Sequence, residues 1–156
     1  METQRIAHIV LDEATAPRRS PQVEHERRVA IYDLLEDNRF SPQSGEQGPF
    51  HLQLSIVEGR LVFNVQDAAA IDLFRFGLAL KSFRKIVRDY FLVCETYFQA
   101  IKTKTPSQIE AIDMGRRGLH NEGAEVLRER LAAHVDIDHQ TARRLFTLLC
   151  VLHVKG

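Results

Sequence analysis

The clearest pattern of apolar and polar positions in the chain is an alternation that runs from residue 51 to residue 66. It is interrupted at Glu58-Gly59, a dipeptide that suits a two-residue turn, so the segment predicts a β-hairpin. A similar alternation over residues 72–80 predicts a third antiparallel strand, and an Ile- and Val-rich segment at residues 5–11 predicts another strand. Antiparallel strands that share one apolar face need a helical layer to cover that face.

Apolar residues spaced three and four apart predict the helices. Ser20-Pro21 opens a helix that extends to about residue 36, with serine as the N-cap and proline at the first helical position. A wide aromatic stripe marks a helix over residues 83–102, which we expect to cover the sheet. A capping box at Thr105-Pro106-Ser107-Gln108 opens the next helix. The last segments are a helix over residues 122–133, a short strand or extended link at 135–137, and a helix over 139–153 that is apolar nearly all round and therefore buried.

The element order β-α-β-β-β-α-α-α predicts an α+β fold. We expect an antiparallel sheet of three to five strands, including the hairpin, covered by about four to five helices. The whole chain, residues 1–156, is expected to form a single domain, because its length and 44% hydrophobic content suit one globular core. Residues 37–49 contain two prolines, two glycines and two serines, which predicts a mobile surface loop.

The charge composition narrows the classes of partner. Twenty-one Lys and Arg residues balance 21 Asp and Glu residues, so the chain has no overall attraction to nucleic acid or to anionic lipid, and nucleic-acid binding is not expected. Cys94 and Cys150 lie in apolar helical patterns and predict buried free thiols. No apolar run approaches the length of about 20 residues that spans a bilayer. The sequence therefore predicts a cytoplasmic protein without membrane contact.

One polar, glycine-rich segment, residues 113–123, stands between two amphipathic stretches. If the helix is continuous there, five residues share one face, since they are spaced at i, i+3, i+4, i+7 and i+8. These residues are Asp113, Arg116, Arg117, His120 and Asn121. We favour a break or kink near Gly118, because three glycines weaken this part of the helix.

This segment is the candidate ligand-binding site. Arginine forks and helix N-termini both bind anions, so Arg116 and Arg117 predict a clamp for a phosphate or carboxylate. His120 is the candidate acid or base, and the neighbouring arginines should lower its pKa. A purely structural role remains open, because Asp113 and Arg117 also form an ordinary i,i+4 ion pair and the glycines could simply let two helices approach.

Four stretches of the chain carry a family resemblance: SPQVEHER at residues 20–27, AIYDLL at 30–35, IEAIDMGRRGLHNEG at 109–123 and ARRLFT at 142–147. They resemble an uncharacterised protein family of alphaproteobacteria, UPF0262. The resemblance covers nearly the whole chain and implies a bacterial, cytoplasmic protein, but it brings no catalytic residue with it, because no activity is established for the family.

A metal site has weaker support. His134, Asp136 and Asp138 alternate and would share a face of a strand, with His139 adjacent, but this spacing matches no established ligand motif. The residues Glu24-His25-Glu26 are no better supported as a set of metal ligands. We therefore predict no metal and no cofactor. The chain also lacks a P-loop, a G-x-G-x-x-G sequence and a G-x-S-x-G nucleophile elbow.

Two functional hypotheses follow. The first is a non-catalytic binding or regulatory module that recognises an anion at residues 113–123, or a partner protein. It could also form a homodimer through an edge strand of the hairpin. The alternative is a small enzyme acting on a phosphorylated or carboxylated substrate, with His120 as acid or base and Arg116 and Arg117 as the anion clamp.

Overall fold

Strands and helices account for most of the chain in a computed structural model, which describes residues 3–12 and 21–153. The strands are β1 (Ile6–Leu11), β2 (Ser41–Pro42), β3 (Phe50–Val57), β4 (Arg60–Gln66), β5 (Asp72–Ala79) and β6 (Val135–Asp136). The helices are α1 (Pro21–Glu36), α2 (Arg84–Thr103), α3 (Pro106–Leu131) and α4 (His139–His153), with a 3-10 turn at Leu80–Phe83 before α2. The α+β class is confirmed. The predicted cap at Ser20 lies outside the described residues.

The main sheet has four strands in the spatial order β1-β3-β4-β5. The hairpin of β3 and β4 is confirmed, and its turn residues Glu58 and Gly59 have positive φ angles of 50° and 74°, which match the twist of the flanking strands. Strand β5 pairs antiparallel with β4, as predicted. Strand β1 instead pairs parallel with β3, so the sheet is mixed. The long connection through α1 brings the chain back to start β3 beside β1 in the same direction.

The hairpin lies in the middle of this sheet. Strands β3 and β4 each have two neighbours, and the end strands are β1 and β5. The expectation that the hairpin presents a free edge for a homodimer is therefore wrong, because β1 and β5 occupy both of its edges.

The helices form a layer in which α4 is central. It packs between α1 and α3 and also contacts β3, and its side chains are mostly buried, as its apolar sequence predicts. Helix α2 packs mainly against α3, so its aromatic stripe is not the direct cover of the sheet that we expected. Cys94 and Cys150 are free and buried, as predicted. In the described part of the chain, no helix is both long enough and apolar enough to cross a membrane.

Helix α3 is continuous from Pro106 to Leu131, so the break predicted near Gly118 is wrong. The predicted capping box is present at its start. A Cβ atom added at Gly118 would meet nothing within 4 Å, whereas at Gly123 it would lie 2.2 Å from the Phe146 ring of α4. Gly123 is required for the close approach of α3 to α4, and packing of α3 on two helices offsets the cost of about 1 kcal/mol for each glycine.

Residues 37–49 form a mostly exposed loop, as predicted, but this loop is anchored to the rest of the fold. Phe40 is fully buried, and β2 pairs with β6. The Asn38 side chain accepts a hydrogen bond from the Ile6 backbone N–H (2.7 Å) and donates to the carbonyls of Ile6 (2.9 Å) and Leu34 (2.7 Å). The segment thus connects the end strand of the sheet to α1.

Candidate functional site

A cleft of about 420 Å³ opens between α1, α3 and α4, with Tyr90 of α2 in its wall. Its volume is within the range of small-ligand sites. Its lining residues are His25, Glu26, Val29, Ala30, Asp33, Tyr90, Arg116, Arg117, His120, Gln140, Arg143, Arg144 and Thr147. Four arginines against two carboxylates give the cleft an excess of positive charge, so it suits an anionic ligand.

Arg116 and Arg117 share one counterion on their own helix. The Arg116 Nε atom donates to Asp113 Oδ1 at 3.1 Å, and Arg117 Nη2 lies 2.8 Å from Asp113 Oδ2. The Arg116 guanidinium also stacks over the Tyr97 ring, with its Cζ atom 4.5 Å from the ring centroid. These hydrogen bonds and charges hold the pKa of Asp113 below its usual range. One carboxylate balances two guanidiniums, so this side of the cleft keeps a net positive charge.

The two arginines of α4 differ in their partners. Arg144 Nη1 donates to the Asp37 backbone carbonyl at 2.9 Å and so holds the end of α1. Arg143 has no ion pair with any residue in the described part of the chain, and its buried Nε atom has no hydrogen-bond partner there. A buried guanidinium N–H without an acceptor is costly, so Arg143 is available for an anion in the cleft.

His120 has one satisfied ring nitrogen and one unsatisfied one. Its Nε2 atom lies 2.8 Å from Thr147 Oγ1, and that hydroxyl donates its single hydrogen to the Arg143 backbone carbonyl at 3.2 Å. The hydroxyl must therefore accept from His120, which places the ring proton on Nε2. The Nδ1 atom is then a buried acceptor, and it has no donor among the described residues.

The surroundings of His120 keep its ring neutral. Burial is the largest cause and lowers its pKa to about 4, and the positive charges of Arg143, Arg116 and His139 act in the same direction. Rings of Tyr90 and Phe146 pack against the imidazole, with centroids 5.3 Å and 5.4 Å away. The predicted direction of the shift is confirmed, but burial contributes more than the arginines.

Glu26 of α1 faces the arginines across the cleft. Burial raises the pKa of its carboxyl, and the nearby positive charges of Arg116 and His25 partly offset that rise. No ion pair links Glu26 to another described residue. Tyr90, in the wall of the cleft, has its pKa raised chiefly by burial. The cleft thus contains groups whose neutral forms are favoured by burial, beside arginines that carry positive charge.

The structure brings together three of the five predicted site residues. Arg116, Arg117 and His120 line the cleft. Asp113 lies behind them and orients both arginines. Asn121 is exposed and does not line the cleft, because the helical face that the five residues share is about 140° wide and the cleft takes only one side of it.

The sequence reasoning missed the cleft residues that other helices supply, above all Glu26, Arg143 and Thr147. Each of these lies in one of the stretches that carry the family resemblance, SPQVEHER and ARRLFT. Those two stretches and residues 109–123 meet at the cleft. The family resemblance of these stretches was therefore the sequence signal that could have indicated Glu26, Arg143 and Thr147 as site residues.

The candidate metal ligands are not brought together. The His134 ring stacks on Phe76 at 4.1 Å, and Asp136 pairs with Arg39 at 3.4 Å. Asp138 caps α4, and His139 Nδ1 lies 2.6 Å from Glu125 Oε2. Within residues 3–12 and 21–153, no group of three or more His, Cys, Asp or Glu side chains is placed to hold a metal ion.

The chain belongs to the uncharacterised protein family UPF0262, whose sequence model matches residues 3–155. A UPF0262 protein of Rhodospirillum rubrum is 60% identical over 155 residues, covering 99% of this chain and 96% of its own length. One from Paramagnetospirillum magneticum is 56% identical over 153 residues, covering 98% of each chain. One from Roseobacter denitrificans is 54% identical over 157 residues, covering 97% of this chain and 99% of its own. No solved structure gives a significant match.

Proposed function

We propose that the protein is a cytoplasmic, non-catalytic binding module whose cleft between α1, α3 and α4 takes a small anion carrying a phosphate or carboxylate group. One observation supports this proposal most strongly. Arg143 and His120 line the cleft, and each has a buried polar atom, Nε and Nδ1 respectively, with no hydrogen-bond partner in the described part of the chain. An anion would accept from the arginine and add a second favourable contact with the excess positive charge.

The two unsatisfied atoms also indicate the chemistry of the ligand. Arg143 Nε is a donor, and His120 Nδ1 in its neutral ring is an acceptor. Monohydrogen phosphate and organic phosphates in their monoanionic form carry acceptor oxygens together with one O–H donor, so a phosphate group offers both kinds of partner that these atoms lack. Sulfate offers acceptors only, so the cleft should prefer phosphate to sulfate.

The alternative of acid–base catalysis is disfavoured by the state of His120. A group with a pKa of about 4 is neutral at pH 7 and is a weak base, far from the value near the working pH that general catalysis favours. The ring proton is held by Thr147 rather than directed at a ligand. These features suit recognition of a donor by Nδ1 better than proton transfer.

Loss of the Arg143 guanidinium should weaken phosphate binding by about tenfold to a hundredfold, which is the value of one charge-assisted hydrogen bond in a partly buried site. The measurement is calorimetric titration of inorganic phosphate into the wild type and Arg143→Ala. Arg130→Ala is the matched control, since Arg130 is exposed on α3 and does not line the cleft, and it should bind as the wild type does.

The proposal fails if Arg143→Ala and Arg130→Ala bind phosphate equally well. It also fails if the folded wild type does not bind inorganic phosphate. Circular dichroism melts of each variant establish that a lost affinity does not reflect a lost fold.

A further inference from the structure

A second concavity, the α1–α2 groove, lies next to the cleft. Its volume is about 460 Å³, and much of its lining is apolar, from Val23, Phe91, Cys94, Phe98 and Ile101. Polar side chains are present at its rim, among them Gln22 and Gln99. Apolar surface that is left in a concave site is available to bury an apolar group of a ligand.

The groove and the cleft share a wall. Glu26 lines both, and along α1 Val23 lies in the groove while Ala30 lies in the cleft. These three positions are spaced three and four apart and form one stripe of the helix. On α2, Tyr90 of the cleft and Cys94 of the groove are likewise one turn apart. The two concavities therefore follow one another along the same pair of helices.

We propose that the ligand is an amphipathic anion, whose phosphate or carboxylate head lies in the arginine-bearing cleft and whose apolar tail extends past Glu26 into the α1–α2 groove. This inference rests on the proposed function of the cleft and names the class of molecule that it takes. Charge complementarity directs the head to Arg143, and the groove offers an adjoining apolar surface for the tail.

Glu26 is compatible with a tail that passes it. Burial raises the pKa of this carboxyl and so favours its neutral form, which is less costly to cover with hydrocarbon than a carboxylate. The other charged residues that line the groove, Glu95 and Lys102, are of opposite sign, so the groove has no excess positive charge to hold a second anionic group.

The dimensions favour a small molecule over a docked polypeptide. Each concavity is within the range of small-ligand sites. From Val23 to Ala30 the α1 stripe extends about 10 Å along the helix axis, which a single short alkyl or aryl tail can follow. A peptide helix would need a wider apolar surface than this stripe provides.

The test compares octyl phosphate, below its critical micelle concentration, with inorganic phosphate in calorimetric titrations of the full chain. Each methylene that is fully buried should tighten binding by about fourfold. We therefore expect octyl phosphate to bind at least about tenfold more tightly than inorganic phosphate, even if only part of the tail is covered.

Two substitutions on α2 test whether the apolar tail of the ligand lies in the α1–α2 groove. Ile101 lines the groove and is 52% exposed, and Leu92 is 58% exposed on the same helix but does not line it. Ile101→Glu should reduce the affinity ratio of octyl phosphate to inorganic phosphate to near one. Leu92→Glu adds the same charge at a similarly exposed site and should leave the ratio unchanged.

The outcomes separate the two proposals. Equal binding of both phosphates, dependent on Arg143, would overturn the amphipathic ligand and leave the anion site standing. The amphipathic ligand would also be overturned if Ile101→Glu and Leu92→Glu reduced the preference for octyl phosphate equally, or if neither reduced it. If neither phosphate binds, the proposed function fails and this inference fails with it.

Discussion

Replacing Asn38 by alanine should lower the free energy of unfolding by about 3 kcal/mol. The variant loses three hydrogen bonds and leaves the backbone groups of Ile6 and one carbonyl of Leu34 without their partner. Ile6 is fully buried, so water cannot replace the amide there without disturbing the packing. Each buried group left unsatisfied costs about 1–3 kcal/mol. Urea unfolding of the wild type and the variant measures the difference.

A second asparagine provides the control. Asn64 also donates two side-chain hydrogen bonds, to Gln53 (3.1 Å) and Asp72 (3.2 Å), but these lie on the exposed face of the sheet. Asn64→Ala should cost less than about 1 kcal/mol, because water can replace both partners. If the two alanine variants were equally stable, Asn38 would not be the residue that ties β1 to α1.

The protein should lose stability as the pH falls from about 6.5 to about 4, and His120 should account for up to about 3 kcal/mol of the loss. Its pKa is about 4 in the folded protein and near the ordinary value of 6.5 in the unfolded chain. Between these values the unfolded chain binds more protons, so acid favours unfolding. The contribution is fully present above pH 6.5 and is lost below pH 4.

The variant His120→Gln isolates this contribution, since glutamine keeps a donor for Thr147 but does not titrate. The raised pKa of Glu26 acts in the opposite sense in both proteins, so only the difference between their pH profiles reports His120. That difference should change between pH 6.5 and pH 4 and be flat above pH 6.5. Parallel profiles throughout would show that the ring is not buried in its neutral form.

The parts of the fold that the sequence predicted are those that depend on neighbouring residues. The turn at Glu58-Gly59 and the capping box from Thr105 to Gln108 each act within four residues, so their signals are complete in the local sequence. The continuity of α3 was missed because local propensity at Gly118 was outweighed by packing along the rest of the helix.

The segment at residues 37–49 shows the limit of local composition. Its prolines, glycines and serines do suit a loop, but nothing in that composition indicates that Asn38 bonds to β1 or that Phe40 reaches the core. The Asn38 contact with Ile6 joins residues 32 positions apart, and the burial of Phe40 likewise depends on the tertiary fold.

The candidate site was predictable only where its residues lie close together in the sequence. Arg116, Arg117 and His120 could be placed on one helical face by their spacing alone. Arg143 and Glu26 come from α4 and α1, and only the packing of three helices puts them opposite His120. The sequence thus located one wall of the cleft and could not show that the unsatisfied guanidinium belongs to another helix.

The most direct test of the anion site is a nitrogen-15 NMR titration of the His120 ring with and without inorganic phosphate. If phosphate binds beside Arg143, its charge should raise the pKa of His120 from about 4, and the Nδ1 resonance should shift as that atom gains a partner. In Arg143→Ala the same change should require about tenfold to a hundredfold more phosphate, in line with its weaker binding. A wild-type ring whose pKa and Nδ1 resonance stay constant through saturating phosphate would contradict the account.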